Sequence, residues 1–279
     1  MRTVQPTNHG LVFLAGVLAL AGGCGQINGA PGSAPPAQGA GSLTAATARF
    51  AASDGHEPGE PPRNPDPSQE PLTPPGATVR GHVLFVHGHG GDPWRFAKMR
   101  RWLEDDGYQT YTMAFPSMEE DMDWLAWFVK GRIREIMRDH AAAEVDLVAH
   151  SMGGLISRAY IRYLSGEKTT KRVITFQSPH HGLFLASIPL FPRFMISENL
   201  RKQVSINSAF LRKLNANDET PGNVRYTSII SKQDQYISVK SARLEGATNY
   251  VISGPNHTTA MWDPVVTGLI KGSLAEGRQ

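Results

Sequence analysis

The sequence predicts an α/β fold with a mostly parallel β-sheet that carries helices on both faces. Short apolar runs alternate with stretches of helical period from residue 82 to residue 274, which is the order expected of strand–helix–strand units. The first run, Val83–Val86, is continuously apolar and bounded by turn residues, as in strands buried on both faces. Polar residues follow several of these runs, at the carboxyl ends of the predicted strands. Ligands of parallel sheets bind at the edge that these ends form.

Composition sets the limits within which a function can be sought. The 279 residues are 40% hydrophobic and 19% charged, which is enough for one core of ordinary size. The net charge is +3, the isoelectric point is near 9.0, and the basic residues are scattered rather than gathered in a stripe. We therefore expect no nucleic-acid partner. Nothing repeats at a fixed period, which argues against solenoids and propellers.

Residues 1–24 are typical of a secretory signal. Arg2 precedes an apolar core over 11–20 that is too short for a membrane span, which needs about 20 residues. Small residues then lead to Cys24, the only cysteine, as in a bacterial lipoprotein signal whose cysteine is lipidated. Leu20, however, lies one place further from Cys24 than is usual. The alternative is a general signal cleaved nearby, with an incidental cysteine.

Either signal predicts export from a bacterial cytoplasm, to the cell envelope if Cys24 is lipidated and into the medium otherwise. Residues 25–78 are rich in Pro, Gly, Ala and Ser, and such a stretch buries too little apolar surface to offset its ordering entropy. We expect a disordered tether there, behind a membrane anchor at Cys24. Residues 79–279 are expected to form one folded domain. A single cysteine excludes a disulfide framework within the chain.

The elements before residue 144 have clear sequence signals. After the first strand, Pro93 and Gly107 bracket a helix, and a second strand lies within 108–116. The next helix spans 122–140. The residues that define the apolar faces of the two helices are Phe96, Met99 and Leu103 in the first, and Leu125, Val129, Ile133 and Ile136 in the second.

The later elements continue the alternation. A buried strand at 145–149 precedes a helix over 155–164, three further strands lie within 172–179, 225–231 and 248–255, and the last helix covers 263–274.

Ser151 stands where the strand at 145–149 must turn sharply into a helix. The surrounding residues, Ala149-His150-Ser151-Met152-Gly153, are close to the G-x-S-x-G pattern of a nucleophile elbow, with a small alanine in place of the first glycine. Small residues are needed because strand and helix approach closely there. The alternative is a serine that only caps the following helix.

A nucleophilic serine needs a base, a group that orients the base, and donors for an oxyanion. In this chain order the acid comes next and the histidine last. His257 directly follows the last strand and is the expected base. His180 and His181 precede every well-placed acid, and we expect a structural role for both.

The candidate acids after Ser151 include Glu167, Asp218, Asp234 and Asp263, of which Asp234 is the best placed. It lies in a short loop after the strand at 225–231, at the sheet edge. Asp218 is expected in a surface loop, and Asp263 comes after His257, where we expect it to cap the last helix.

The oxyanion donors are expected to be backbone N–H groups. One comes from Met152, the residue after the serine, and the other from the glycine-rich loop after the first strand, where the N–H of His89 is the natural candidate. The alternatives for this "HGHGG" loop are a generic turn or a metal-binding histidine pair. No third ligand recurs at a suitable spacing, so neither a metal nor an organic cofactor is expected.

Six segments carry a family resemblance: "VLFVHGHGG", "VDLVAHSMGGL", "SPHHG", "SAFLRKLN", "ETPGNVRYTSIISKQD" and "LEGATN". In this order, from about Val79 to Leu274, they resemble the small bacterial secreted triacylglycerol lipases, class 2 type, of the α/β-hydrolase superfamily. Two departures occur: Tyr236 and Ile237 follow the acid where the family often has smaller or aliphatic residues, and "PNH" replaces a Gly-rich approach to the base.

The resemblance implies an α/β-hydrolase fold and hydrolysis of acylglycerol or other carboxylic esters through an acyl-enzyme. It implies Ser151 as nucleophile, Asp234 as acid, His257 as base, and the N–H groups of His89 and Met152 as oxyanion donors. An acyltransferase would use the same residues. A non-catalytic surface lipoprotein with this fold is the alternative from another class, but it would not need all three catalytic groups. The substrate would be a lipid or small ester; the oligomeric state is not predicted.

The segment 183–200 is strongly apolar but is broken by Pro189 and Pro192, which argue against one regular helix. It connects two strands at the edge that holds the site. We expect it either to line or cover the acyl pocket, with Phe191 and Phe194 toward lipid, or to pack as an ordinary loop and short helix in the core.

Overall fold

The computed structural model describes residues 79–118, 120–188 and 196–276. Its strands are β1 Gly81–Val86, β2 Tyr108–Thr112, β3 Val145–His150, β4 Arg172–Phe176, β5 Arg225–Ser231 and β6 Thr248–Ile252. Its α-helices are α1 Ala97–Glu104, α2 Met122–His140, α3 Met152–Tyr163, α4 Glu198–Val204, α5 Ala209–Leu214, α6 Val239–Ala242 and α7 Pro264–Ala275. The strands form one parallel sheet in the order β2-β1-β3-β4-β5-β6.

Strand β1 shows why the sheet is covered on both faces. Leu84 and Val86 belong to an apolar cluster with α2 and α3, whereas Val83 and Phe85 belong to a second cluster with α1 and α7. All four side chains are fully buried. Successive residues of a strand point to opposite faces, so a continuous apolar run supplies both clusters at once.

The connection between β4 and β5 is the longest part of the fold outside the strand–helix repeat. It contains a 3-10 turn at Leu185–Ser187 and the short helices α4 and α5. Its two sides meet where Leu183 pairs with Ser205 in an isolated bridge. Arg158 of α3, which is 1% exposed, holds the far end of this connection. The acceptors of its guanidinium are Leu214 O, Asn215 Oδ1 and Glu219 O.

The predicted fold class is confirmed: the sheet is parallel and helices cover both faces. The helix after Ser151 begins at Met152, three residues before the apolar pattern that starts at Leu155. Gly153 and Gly154, which weaken a helix in isolation, lie in its first turn against β1 and β4. In the described parts of the chain no helix is long and apolar enough to cross a membrane. The predicted signal and tether, residues 1–78 with Cys24, lie outside these parts.

Candidate active site

Ser151 occupies the turn between β3 and α3 in a strained conformation. Its φ is 55° and its ψ is −128°, which a residue with a side chain adopts only where its surroundings impose it. Its N–H donates to Phe176 O at the end of β4, at 3.1 Å. The Ser151 side chain makes no capping hydrogen bond to the helix. The interpretation of Ser151 as a simple helix cap is therefore wrong.

The structure brings together the three side chains that the amino-acid sequence indicates as nucleophile, base and acid. His257 Nε2 lies 3.1 Å from Ser151 Oγ, and His257 Nδ1 lies 2.7 Å from Asp234 Oδ2. Each residue follows a different strand: Ser151 follows β3, Asp234 follows β5 and His257 follows β6. The side chain of His257 is 15% exposed and that of Asp234 is 1% exposed. The imidazole thus lies between a buried carboxylate and the serine hydroxyl.

The second oxygen of Asp234 is held by its own loop. Asp234 Oδ1 accepts the N–H groups of Tyr236 at 2.8 Å and Ile237 at 2.9 Å. The carboxylate therefore has a fixed orientation, with Oδ2 left for the imidazole. Tyr236, one of the departures from the family, places its ring edge-on to His257 with centroids 5.4 Å apart. Ile237, the other, is buried in a small cluster with Ile230 and Ala242.

The loop after β1 approaches the serine from the other side. A Cβ at Gly88 would lie 2.8 Å from Ser151 Cβ and 3.0 Å from Met152 N, so the backbone here is as close to the first turn of α3 as a glycine permits. His89 is the next residue, and its side chain is exposed. The turn is closed by Gly91 N–H donating to Gly88 O at 3.0 Å. The two expected donors, His89 and Met152, thus belong to adjoining segments.

The two histidines of the "HGHGG" loop have different surroundings. His87 is buried, its Nδ1 lies 2.9 Å from Gly88 O, and its ring stands edge-on to Phe115. Burial lowers the pKa of His87, which keeps the ring neutral. His89 is exposed. Across the described residues, no group of three His, Cys, Asp or Glu side chains is arranged to hold a metal ion.

His180 and His181 lie outside the site, where the sequence predicted a structural role. His180 is fully buried with Nε2 3.1 Å from Thr175 Oγ1, and burial lowers its pKa well below the usual value. His181 Nε2 lies 2.7 Å from Glu219 Oε1, and this hydrogen bond raises the pKa of His181.

The other acids are also separate from the serine. Asp263 caps α7, with Oδ1 accepting the N–H groups of Val265 and Val266 at 2.9 and 3.0 Å, so the predicted cap is confirmed. Asp218 is exposed in a loop, as expected, and accepts the N–H of Thr220. Glu167 lies in a 3-10 turn that precedes β4, at the opposite end of that strand from Ser151.

The apolar segment 183–200 is described only in part. Phe191 and Phe194 lie outside the described residues, so that half of the expectation stays a prediction. Phe184 and Ile188 are exposed, at 68% and 37%, whereas Ile196 is buried in the cluster with α2 and α3. The described residues therefore include both exposed and core side chains.

Sequence reasoning missed the residues that surround the base. The ring of His150, the last residue of β3, lies between those of Phe176 and His257, with centroid distances of 4.8 and 4.7 Å. Gln177 and Ser231, at the ends of the next two strands, contact the loop that carries His257. The position of His150 beside the serine was the only signal in the sequence for any of them.

Known proteins resemble this chain along most of its folded part. A model of the alpha/beta hydrolase family matches residues 83–266, which run from β1 into α7 and include the three side chains of the site. Protein SERAC1 of Danio rerio is 27% identical over an alignment of 188 residues, which covers 50% of this chain and 28% of that protein. The match thus spans less than a third of that relative.

Several solved structures share the fold at low identity. The mature form of Bacillus licheniformis lipase BlEst2 has a TM-score of 0.62 at 19% identity, covering 77% of this chain and 96% of that one. Aspergillus fumigatus lipase B has 0.62 at 18%, covering 73% and 55%. Legionella pneumophila phospholipase PlaB has 0.58 at 16%, covering 69% and 59%. The small secreted lipase type stays a prediction. The family-model match covers about two thirds of the sequence in one continuous stretch, so this chain belongs to the alpha/beta hydrolase family.

Proposed function

We propose that the protein hydrolyses carboxylic esters through a covalent acyl-enzyme. The observation that carries the proposal is the contact of Ser151 Oγ with His257 Nε2 at 3.1 Å, on a strained turn that leaves the hydroxyl uninvolved in capping. Asp234 Oδ2 lies 2.7 Å from the other ring nitrogen. A hydroxyl beside a base that is itself oriented by a carboxylate is the arrangement of an activated nucleophile.

In the first half of the reaction, Ser151 Oγ attacks the ester carbonyl carbon while His257 Nε2 takes the hydroxyl proton. The carbonyl π electrons move to its oxygen, which becomes the oxyanion of a tetrahedral intermediate. Asp234 stabilises the imidazolium and keeps Nε2 directed at the serine. When the carbonyl re-forms, the bond to the alkoxide breaks and His257 returns the proton to the leaving alcohol, so the acyl group stays on Ser151.

In the second half, water takes the place of the alcohol. His257 accepts a proton from water, the hydroxide attacks the acyl carbon, and the second tetrahedral intermediate expels Ser151 Oγ, which regains its proton from His257. The products are the carboxylic acid and the free enzyme.

The N–H groups of Met152 and His89 are proposed to hold the oxyanion. Met152 is the first residue of α3, where N–H groups have no acceptor in a preceding turn and the helix dipole favours negative charge. The close approach of Gly88 to Met152 N supports a donor from the adjoining residue His89. Loss of one such donor typically costs about 10²–10³ in turnover.

An apolar acyl group is the proposed substrate chemistry. Among the described residues, the exposed large apolar side chains all lie in connections, or in a first helical turn, that follow the carboxyl end of a strand. They are Trp94, Phe184, Ile188, Ile206, Tyr236, Trp262 and Val265. Of these, Tyr236 packs edge-on against His257, and apolar surface around a site favours an apolar ligand. The likeness to lipases and a phospholipase agrees with a lipid or related ester.

The test is release of p-nitrophenol from p-nitrophenyl butyrate and palmitate by the purified full chain. Ser151→Ala should lower the rate by about 10⁶ without unfolding the protein. Ser157→Ala is the matched control, because Ser157 lies in the same helix and its buried hydroxyl has no hydrogen-bond partner among the residues that the structure describes. Hydrolysis by the parent at no more than the Ser151→Ala rate with every ester would end the proposal.

A further inference from the structure

The loop that carries His257 is held by its backbone carbonyls. Three consecutive carbonyl oxygens each accept a hydrogen bond from a side chain that belongs to another part of the chain. The contacts are Ser231 Oγ to Pro255 O at 2.5 Å, Gln177 Nε2 to Asn256 O at 3.2 Å, and His150 Nε2 to His257 O at 3.0 Å. The last of these acceptors is the carbonyl of the proposed base itself.

The three donors come from adjacent strands of the sheet. His150 is the last residue of β3, Gln177 directly follows β4, and Ser231 is the last residue of β5. The spacing of the donors is therefore set by the separation of parallel strands, about 4.8 Å. A parallel sheet covered on both faces is a rigid support. The loop thus lies across the ends of three strands and is fixed to each of them.

Each donor is buried at the point of contact. His150, Gln177 and Ser231 are 7%, 2% and 2% exposed, so water does not compete for these carbonyls as it would at the surface. Gln177 also has a φ of 50°, in the left-handed region that residues with side chains seldom adopt. Its N–H donates to Ile229 O of β5 at 2.9 Å. A strained backbone that is kept in place beside a site points to a constraint other than helix or strand formation.

His150 combines two contacts with the base. Its Nε2 lies 3.0 Å from the carbonyl oxygen of His257. Its ring packs against the imidazole of His257 and against the ring of Phe176. A carbonyl only accepts, so Nε2 must carry the hydrogen. Burial and the adjacent His257 lower the pKa of His150 to about 3, which agrees with a neutral ring fixed as the Nε2–H tautomer.

We propose that His150, Gln177 and Ser231 are positioning residues that set where the His257 imidazole lies relative to Ser151 and Asp234. This inference rests on the proposed ester hydrolysis, since its effect on turnover requires that reaction. A displacement of about 1 Å in a reacting group can cost on the order of 10²-fold in rate. The base of this chain is approached through Pro255 and Asn256 rather than through glycines, and the three donors fix the conformation of that approach.

The experiment compares two buried serines of the same strand. Ser231 and Ser228 both lie in β5, both are at most 2% exposed, and both donate to a carbonyl, but the acceptor of Ser228 is Ala242 O at 2.8 Å. Ser231→Ala should lower kcat for p-nitrophenyl butyrate by about 10- to 100-fold with KM within about twofold. Ser228→Ala should lose thermal stability by a similar amount and keep kcat within about twofold of the parent.

A second pair of variants separates the donor from the packing at position 150. His150→Phe keeps the ring between Phe176 and His257 but removes the N–H, and it should lower kcat about as much as Ser231→Ala. His150→Gln returns an amide N–H to the same region and should recover most of that loss. Equal kcat in the parent, His150→Phe and Ser231→Ala, or an equal loss in Ser228→Ala, would overturn the inference.

An independent readout needs no substrate. The NMR resonance of the proton between His257 Nδ1 and Asp234 Oδ2, assigned by its loss in Asp234→Asn, should persist in Ser228→Ala. It should broaden by exchange with water in His150→Phe and Ser231→Ala. An unchanged resonance in both of these variants would refute the positioning role. If the parent proves inactive on every ester, the proposed function fails, and this resonance alone decides the positioning role.

Discussion

Asp234 and Asp263 both follow a strand or turn in the last part of the fold, but their carboxylates bind different groups. Asp234 contacts the imidazole of His257 through Oδ2, whereas Asp263 accepts two N–H groups at the start of α7. Replacing Asp234 by Asn should lower turnover by roughly 10⁴, because the amide favours the wrong imidazole tautomer.

The same substitution at Asp263 is the control. Asp263→Asn should change only the stability of α7, by at most about 1 kcal/mol, since asparagine also caps helices. Turnover and urea unfolding of both variants measure the two effects. A large loss of turnover from Asp263→Asn alone would reverse the assignment.

The buried imidazole of His150 should make the free energy of unfolding depend on pH. Its pKa is lowered to about 3 in the folded chain, whereas an unfolded histidine titrates near 6.5. Between these values the unfolded state binds one more proton than the folded state. The free energy of unfolding therefore falls as the pH falls through this window, by about 1.4 kcal/mol per pH unit.

His150→Gln removes this contribution and leaves the other titrating groups in place. Between pH 7 and pH 5 the parent should lose about 2 kcal/mol more unfolding free energy than the variant does. Urea unfolding of both proteins at the two pH values measures the difference. Parallel losses would show that His150 is protonated in the folded chain.

The strand–turn–helix at Ser151 depends on close backbone contact. A Cβ at Gly153 would lie 2.3 Å from Val86 O, an atom of β1 that cannot move without disturbing the sheet. Gly153→Ala should therefore destabilise the fold by several kcal/mol or move Ser151 enough to abolish activity. Gly268 is exposed in α7 with open space around it, so Gly268→Ala should stabilise by about 0.5–1 kcal/mol. Thermal unfolding of the two variants measures the difference. Equal melting temperatures of Gly153→Ala and Gly268→Ala would show that α3 does not pack closely against β1.

Elements could be predicted from sequence where an apolar pattern was long enough to reveal its period. The 19-residue helix α2 met that condition, whereas the strand at Val83–Val86 was predicted from its continuous apolar run rather than from a period. Helices α4, α5 and α6 have seven, six and four residues, too short to show a helical period. Their signal was local instead. Each begins at a serine whose side chain accepts a backbone N–H of the first turn, namely Ser197, Ser208 and Ser238.

The residues of the site likewise divide into those that the sequence predicted and those that it did not. The proximity of Ser151, Asp234 and His257 could be predicted because each follows a strand, and the carboxyl ends of parallel strands lie at one edge of the sheet. His150, Gln177 and Ser231 could not, because their partners are backbone carbonyls up to 107 positions away in the chain. Every residue has a carbonyl, so no sequence pattern marks the acceptor; only the fold does.

For the molecule as a whole, the open question is where it acts. We propose that Cys24 is lipidated and that residues 25–78 form a tether between that anchor and the hydrolase domain. A multiply acylated cysteine gives stable membrane attachment, whereas a single chain binds only weakly. In detergent phase partitioning of the full chain expressed in bacteria, the parent should enter the detergent phase and Cys24→Ser the aqueous phase. Recovery of both in the aqueous phase would exclude the anchor.

The proposed role of Ser151 as the nucleophile of an ester hydrolase is tested most directly by covalent labelling. The full chain is treated with a fluorophosphonate, and the adduct is located by peptide mass spectrometry while ester hydrolysis is followed in parallel. We predict one phosphonyl group, bound to Ser151 Oγ, with activity lost in proportion to labelling and no adduct in Ser151→Ala. An adduct on another residue, or full hydrolysis by protein whose Ser151 is labelled, would contradict the claim.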